Sequence, residues 1–154
     1  MHYSHYGQHS TPNMQLCING IRAMKRKAEC CCGQLSIEVE GEPEIYGVCH
    51  CNNCKKRTGS AFGISAYFKN QNILGKSGDA TCYSLHNTEQ NHDQNRYFCK
   101  SCGTTLFWSI STSPQLTGVA GGCFVAKPLG EPTYSTSHEK ICSWLSLPKK
   151  WHKE

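Results

Sequence analysis

Apolar and polar residues alternate over short stretches of this chain, and no stretch carries a helical stripe. Residues 34–40 set Leu35, Ile37 and Val39 against polar neighbours, which predicts a half-buried strand. Residues 45–48, 63–68 (Ile64, Ala66 and Phe68 on one side), 81–85, 104–111 and 116–120 read as further strands. Gly41-Glu42-Pro43 and residues 75–79 read as turns, and Thr58-Gly59-Ser60 closes a turn or short helical turn. Residues 86–95 are all non-apolar and predict a surface hairpin loop. After Gly121-Gly122 the pattern loosens through Pro128, Gly130 and Pro132, ahead of a last apolar patch at 141–147. The expectation is a mainly β fold, one compact domain of short antiparallel strands.

Residues 1–23 show neither periodicity, and their only formal charge is Arg22. A disordered tail at 1–24 ahead of a domain at 25–150 is expected, with His2, His5 and His9 belonging to the tail. Met24 directly precedes the first domain-like residues and is an expected translation start.

Composition adds a constraint. The chain of 154 residues has 38% hydrophobic content and 14 glycines, so the core is thin and metal is expected to supplement it. Twelve cysteines would suit a secreted disulfide framework, but no signal-like apolar run opens the chain. No segment approaches the ~20 apolar residues of a membrane span. The cysteines are clustered, which favours metal-bound thiolates in a reducing cytoplasm. The net charge of +5 concentrates at Lys25-Arg26-Lys27, Lys55-Lys56-Arg57 and residues 149–153. No nucleic-acid-binding motif accompanies these clusters, so solvated lysines are the favoured reading.

Cys49-His50-Cys51-Asn52-Asn53-Cys54 is the densest chemistry on the chain. On an extended strand Cys49 and Cys51 share a face opposite His50, and the following turn returns Cys54 to them. Three sulfurs suit zinc; a Cys51–Cys54 redox pair would want a βαβ setting that the pattern lacks. Cys99-x-x-Cys102-Gly103 is a zinc-knuckle turn, and Cys30-x-Cys32-Gly33 is a second pair, with Cys30 and Cys32 on one face of an extended strand. Two pairs make a closed site of four, while the trio leaves a fourth position for water or substrate. A single ribbon of Cys49, Cys54, Cys99 and Cys102 is the competing grouping. Cys17, Cys31, Cys82, Cys123 and Cys142 read as small core or tail residues. His50, His92 and His138 read as non-ligands.

Three segments together resemble the glutathione-dependent formaldehyde-activating enzyme family, which includes centromere protein V-like proteins. They are Cys30-x-Cys32-Gly33, Cys49-His50-Cys51-x-x-Cys54-Lys55-x-x-Thr58-Gly59-Ser60-Ala61-Phe62 and Arg96-x-Phe98-Cys99-x-x-Cys102-Gly103-x-x-Leu106. The resemblance spans about residues 25–147 and implies an Mss4-like β fold. It also implies two zinc ions, a structural one on Cys30, Cys32, Cys99 and Cys102 and a catalytic one on Cys49, Cys51 and Cys54. The activity it implies is condensation of glutathione with formaldehyde, formally that of a carbon–sulfur lyase. The expected partners are therefore a small thiol such as glutathione and a small aldehyde, with no membrane or nucleic acid. Gly121-Gly122-Cys123-Phe124 departs from the family pattern, in which many members carry an acidic residue there.

Three thiolates over-neutralise a zinc ion, which favours holding a thiolate or gently polarising an aldehyde over strong activation of water. Lys55, Lys56 and Arg57 would offset the surplus negative charge or meet substrate carboxylates, and simple solvent exposure accounts for them equally well. The competing functional readings are a non-enzymatic zinc module contacting protein or nucleic acid, and a thiol-rich metal or redox sensor.

Overall fold

The first residues described already make a strand the alternation did not mark. Lys25–Glu29 (β1) buries Arg26 and Ala28 and pairs antiparallel with Ser36–Glu40 (β2). Arg26 is no solvated cation: its Nη2 meets Glu42 at 2.7 Å and its Nη1 donates to Gly41 O at 2.8 Å. The computed structural model describes residues 23–154. The tail expected at 1–24 falls outside them except for Ala23 and Met24, as do His2, His5, His9 and Cys17.

The chain continues through Ile45–Cys49 (β3), the helix Asn52–Thr58 (α1), Gly63–Lys69 (β4) and Ile73–Ser77 (β5). Ala80–Asn87 (β6), His92–Cys99 (β7), Thr105–Ile110 (β8) and Leu116–Ala120 (β9) follow, then Tyr134–Thr136 (β10) and His152–Lys153 (β11). The mainly β expectation holds. Strands β1, β2 and β5 form one sheet; the other runs β11-β10-β3-β4-β9-β8-β7-β6. Most pairings are antiparallel, but β10 lies parallel to both β3 and β11. No helix among the described residues is long and apolar enough to cross a membrane.

Two expected loops are strands instead. The turn expected at 75–79 begins only after Ser77, at Gly78, whose φ of 92° is the left-handed region glycine tolerates. The surface loop expected at 86–95 is largely β6 and β7, paired from Ala80↔Cys99 to Asn87↔His92. The inward polar residues of this hairpin are Asn87, His92 and Gln94 within 86–95, with Arg96 just beyond. They are buried but polar, so no hydrophobic alternation announced them.

The core lies between the sheets, where Ala28, Ile37 and Val39 meet Ala66, Phe68, Leu106, Val119 and Phe124. The opposite face of the larger sheet carries the chemistry. Register lines up Ile45, Tyr67, Gly118, Trp108, Arg96 and Tyr83 as one lateral row across it. Gly118 is required there, since a Cβ at that point would stand 2.1 Å from Trp108 Nε1. In a flat sheet the four strand steps from β3 to β7 would span roughly 19 Å. Gln90, at the tip beyond β6, nevertheless reaches Cys49 Sγ at 3.7 Å. The sheet is curled, and the β6–β7 tip folds over the end of β3.

Candidate metal centres

Two thiol clusters form, and they divide the seven cysteines as the two-plus-two and three grouping requires. Sγ atoms of Cys30, Cys32, Cys99 and Cys102 all lie within 4.8 Å of one another, as do those of Cys49, Cys51 and Cys54. The competing ribbon of Cys49, Cys54, Cys99 and Cys102 does not form. All the described cysteines are free thiols.

The four-thiol cluster is built by two turns of similar design. Cys30 to Leu35 is the β1–β2 turn, so Cys30 and Cys32 converge through the turn and not along an extended strand as expected. Gly33 donates to Cys30 O at 2.9 Å, and Gly103 donates to Cys99 O at 2.9 Å. Both glycines are left-handed, with φ of 75° and 74°. Leu35 N donates to Cys30 Sγ at 3.2 Å, and hydrogen bonding from Thr104 holds the Cys102 thiol down at about 5. Cys30–Cys32 and Cys32–Cys99 sulfur separations are 3.5 and 3.7 Å. Four sulfurs at ~2.3 Å from a tetrahedral zinc would stand roughly 3.8 Å apart, so the donor set fits that ion.

The three-thiol cluster sits where β3 becomes α1. Cys49 ends the strand, and Cys51 is the helix N-cap in extended conformation, its sulfur accepting from Cys54 N at 3.4 Å. The cap brings the two sulfurs together, with a thiol in the role a serine or aspartate oxygen usually plays. Gly59, at φ 62°, ends the helix. Hydrogen bonding to Cys49 and Cys51, helped by the Arg57 charge, holds Cys54 down at about 3 against the upward push of burial. The bonds to Cys51 and Cys54 push Cys49 up instead. As free thiols they ionise unequally; a bound divalent cation would ionise all three.

Beside this cluster lies a cavity of about 70 Å³. Cys49, Cys54 and Arg57 form one wall; Ser65, Tyr67 and Trp108 form the sheet side; Asn87, Gln90, His92 and Gln94 close it from the β6–β7 hairpin. Trp108 Nε1 donates to Tyr67 Oη at 3.1 Å, and burial pushes the Tyr67 phenol up, so it stays protonated. The Arg57 guanidinium lies 4.4 Å from the centre of the Trp108 ring. Arg57 also walls a second cavity of about 380 Å³, which Thr58, Ser60, Phe62, Thr104 and Cys123 line with it.

The basic run splits by role. Lys55 Nζ donates to Lys140 O at 2.6 Å, Lys56 is exposed, and only Arg57 faces the cavity. Neither thiol cluster includes a histidine. His50 is fully buried behind the cluster, its ring edge-on to Phe62 at 5.9 Å and to His138 at 6.2 Å. Burial pushes its pKa down. His92 lines the cavity as a wall residue. Among the spare thiols, Cys31 and Cys82 are exposed, contrary to the core or tail position expected, and Cys123 and Cys142 are half-buried. Sequence reasoning missed Asn87, Gln90, Gln94, Tyr67 and Trp108. Pairing of 92–99 with 105–110 places Gln94 and Trp108 on one sheet, whereas no local pattern marks Asn87, Gln90 or Tyr67 as wall residues.

Residues 25–140 match the family described as glutathione-dependent formaldehyde-activating enzyme. The chain belongs to that family. At the family level its role is glutathione-dependent formaldehyde activation, with glutathione and formaldehyde as the partners the family name carries. A Rhodobacter sphaeroides protein, solved by crystallography as a structural genomics target, is similar to it with a TM-score of 0.53. The two are 24% identical over 69% of this chain and 96% of that one, a likeness that bears on the fold alone.

Proposed function

We propose that the chain is a zinc-dependent carbon–sulfur lyase that makes and breaks a thiol–aldehyde adduct, S-(hydroxymethyl)glutathione from glutathione and formaldehyde. In the forward direction the thiol sulfur bonds to the carbonyl carbon, the C=O π bond breaks, and the carbonyl oxygen takes a proton. Cys30, Cys32, Cys99 and Cys102 would hold a structural zinc, and Cys49, Cys51 and Cys54 a catalytic one. A zinc at the three-thiol site supplies a place where a thiol is kept as its anion or an aldehyde is polarised.

The observation that carries this reading is the placement of Cys49 and Cys54 on the wall of a cavity, in a cluster one donor short of a closed tetrahedral site. The four-thiol cluster, by contrast, has its full complement. The protein's own groups complete the chemistry. Gln90 donates to Cys49 and keeps its sulfur oriented. Tyr67 accepts from Trp108, which leaves the phenolic proton to donate to an oxygen in the cavity. The larger cavity across Arg57 has room for the remainder of a thiol too big for the small one.

The test is exchange NMR of glutathione with formaldehyde, with and without the zinc-loaded protein, because the reaction also runs unaided. The expected result is a faster exchange that Cys51→Ser abolishes. Equal exchange rates with and without protein would overturn the formaldehyde assignment.

A further inference from the structure

Adding a thiol to an aldehyde moves one proton from sulfur to oxygen. The cavity therefore needs a group that takes the first proton as well as one that gives the second. Tyr67 can give a proton to the oxygen. Few of the walls can take one from the sulfur. Among the lining side chains that ionise, Cys49 and Cys54 belong to the thiol cluster, and Arg57 keeps its proton at any working pH. Burial keeps the Tyr67 phenol protonated, and burial together with the Glu154 carboxylate pushes Tyr134 up to about 12. The amides and hydroxyls of the other walls are not bases in this range. His92 is left.

His92 opens β7 opposite Asn87, and the strand turns His92, Gln94 and Arg96 to the same side. It is 9% exposed and lines the cavity with Cys49, Cys54 and Tyr67. Neither of its ring nitrogens is sealed in without a partner, whereas both nitrogens of His50 are. Gln90 and Cys54 N donate to Cys49 and Cys51, and His92 has no hydrogen bond to a thiol of the cluster among the described residues. Burial lowers the His92 pKa below the ordinary ~6.5. Hydrogen bonding from the Gln90 main chain and the charges of Cys51 and Asp93 oppose that shift, while His86 adds to it. The imidazole is thus neutral at pH 7, with one nitrogen free to accept.

We infer that His92 is the proton acceptor of the reaction, a ring nitrogen taking the S–H proton of a thiol that enters the cavity. The sulfur then bonds to the carbonyl carbon, the π pair moves to the oxygen, and the oxygen takes the phenolic proton of Tyr67. The imidazolium returns its proton to the phenolate, so one proton has passed from sulfur to oxygen and both side chains are restored. The inference rests on the proposed reaction and deepens it by naming the thiol class. An acceptor is needed for alkyl thiols, which at pKa ~8.5 are mostly protonated at neutral pH, and not for thiols already ionised there.

The test is glutathione–formaldehyde exchange by NMR with zinc-loaded native and His92→Gln proteins from pH 7 to 9.5, corrected for the unaided reaction. At pH 7 the variant is expected to lose about a hundredfold or more in kcat/KM. The deficit should shrink towards pH 9.5, where glutathione supplies its own thiolate. His92 is neutral across this whole range, so its stabilising effect adds no slope of its own. Metal analysis should find the zinc content unchanged, and circular dichroism establishes the fold, with His92→Asn serving if the glutamine variant is unfolded. A deficit that stays constant with pH would make His92 a packing residue and overturn the inference. An undiminished rate at pH 7 would do the same, as would loss of zinc from the variant. If the native protein accelerates exchange at no pH, the proposed reaction fails and its acceptor with it; the other outcomes remove the acceptor alone.

Discussion

Gln90 Nε2 donates to Cys49 Sγ at 3.7 Å, joining the tip of the β6–β7 hairpin to the end of β3. Glu89 reinforces the same junction, accepting from Asn52 N at 3.3 Å and pairing with Lys140. The cavity is therefore closed on one side by a hairpin whose cavity-facing residues, Asn87, Gln90, His92 and Gln94, are polar.

That contact predicts a measurable effect on metal retention. Gln90→Ala removes a donor to a sulfur, an interaction worth about 0.5–1.5 kcal/mol. Zinc at the three-thiol site is expected to pass to a competing chelator roughly two- to tenfold more readily, with the melting temperature little changed. Chelator competition followed by absorbance reads the transfer. Unaltered zinc affinity would show that the Gln90 contact does not bear on the cluster.

The two clusters should fail differently. Cys102→Ser removes a donor from the four-thiol set that joins the β1–β2 turn to the β7–β8 turn, where metal binding would also be folding energy. On the proposed two-zinc reading, zinc content is expected to fall from two ions to one with a large loss of thermal stability. Cys51→Ser is expected to lose one ion and the activity with a smaller drop in melting temperature, because β3, β4 and β9 still pair around it. Metal analysis with thermal melts separates the cases. Equal destabilisation by both substitutions would contradict the division of labour.

Much of this arrangement was legible in the chain, for a physical reason. Close cysteine spacing favours convergence whether the backbone reaches it by a strand or a turn, and the sulfurs gather in two groups although Cys30 and Cys32 meet through a turn. Strands with one apolar face, such as β2 and β4, announced themselves by alternation. β7 did not, because its inward side is His92, Gln94 and Arg96. β1 was hidden similarly, since one of its two buried residues is an arginine neutralised by Glu42. Sheet curl left no local signal at all, and with it went the cavity wall at Asn87 and Gln90.

His92 gives the fold a pH dependence. Burial holds its pKa below the ordinary ~6.5, with the charge of His86 acting in the same direction and Cys51 and Asp93 opposing. The unfolded chain therefore binds the proton more readily than the folded one, so stability rises with pH across this window. The contribution is complete above ~6.5 and is lost as pH falls through the lower folded value. His92→Gln is expected to flatten the fall in melting temperature between pH 7.5 and 5.5 relative to the native protein. Parallel curves for the two proteins would rule His92 out as a source of that slope.

Trp108 can be approached from two sides. Gly118→Ala puts a Cβ into the indole at 2.1 Å from Nε1, and overpacking of this kind costs about 1–3 kcal/mol. The ring must shift, taking the seat of Arg57 with it, so tryptophan fluorescence and melting temperature are both expected to change. Tyr67→Phe leaves the ring in place but removes the phenolic proton and the acceptor of Trp108 Nε1. Loss of a positioned proton donor typically costs about a hundredfold or more in rate, well beyond what a modest loss of stability does to a folded enzyme. Glutathione–formaldehyde exchange measured below the melting temperature of both variants should therefore fall much further in Tyr67→Phe than its stability does. A Tyr67→Phe protein that accelerates exchange as well as the native one would remove the phenol from the chemistry and leave it a packing role against Trp108.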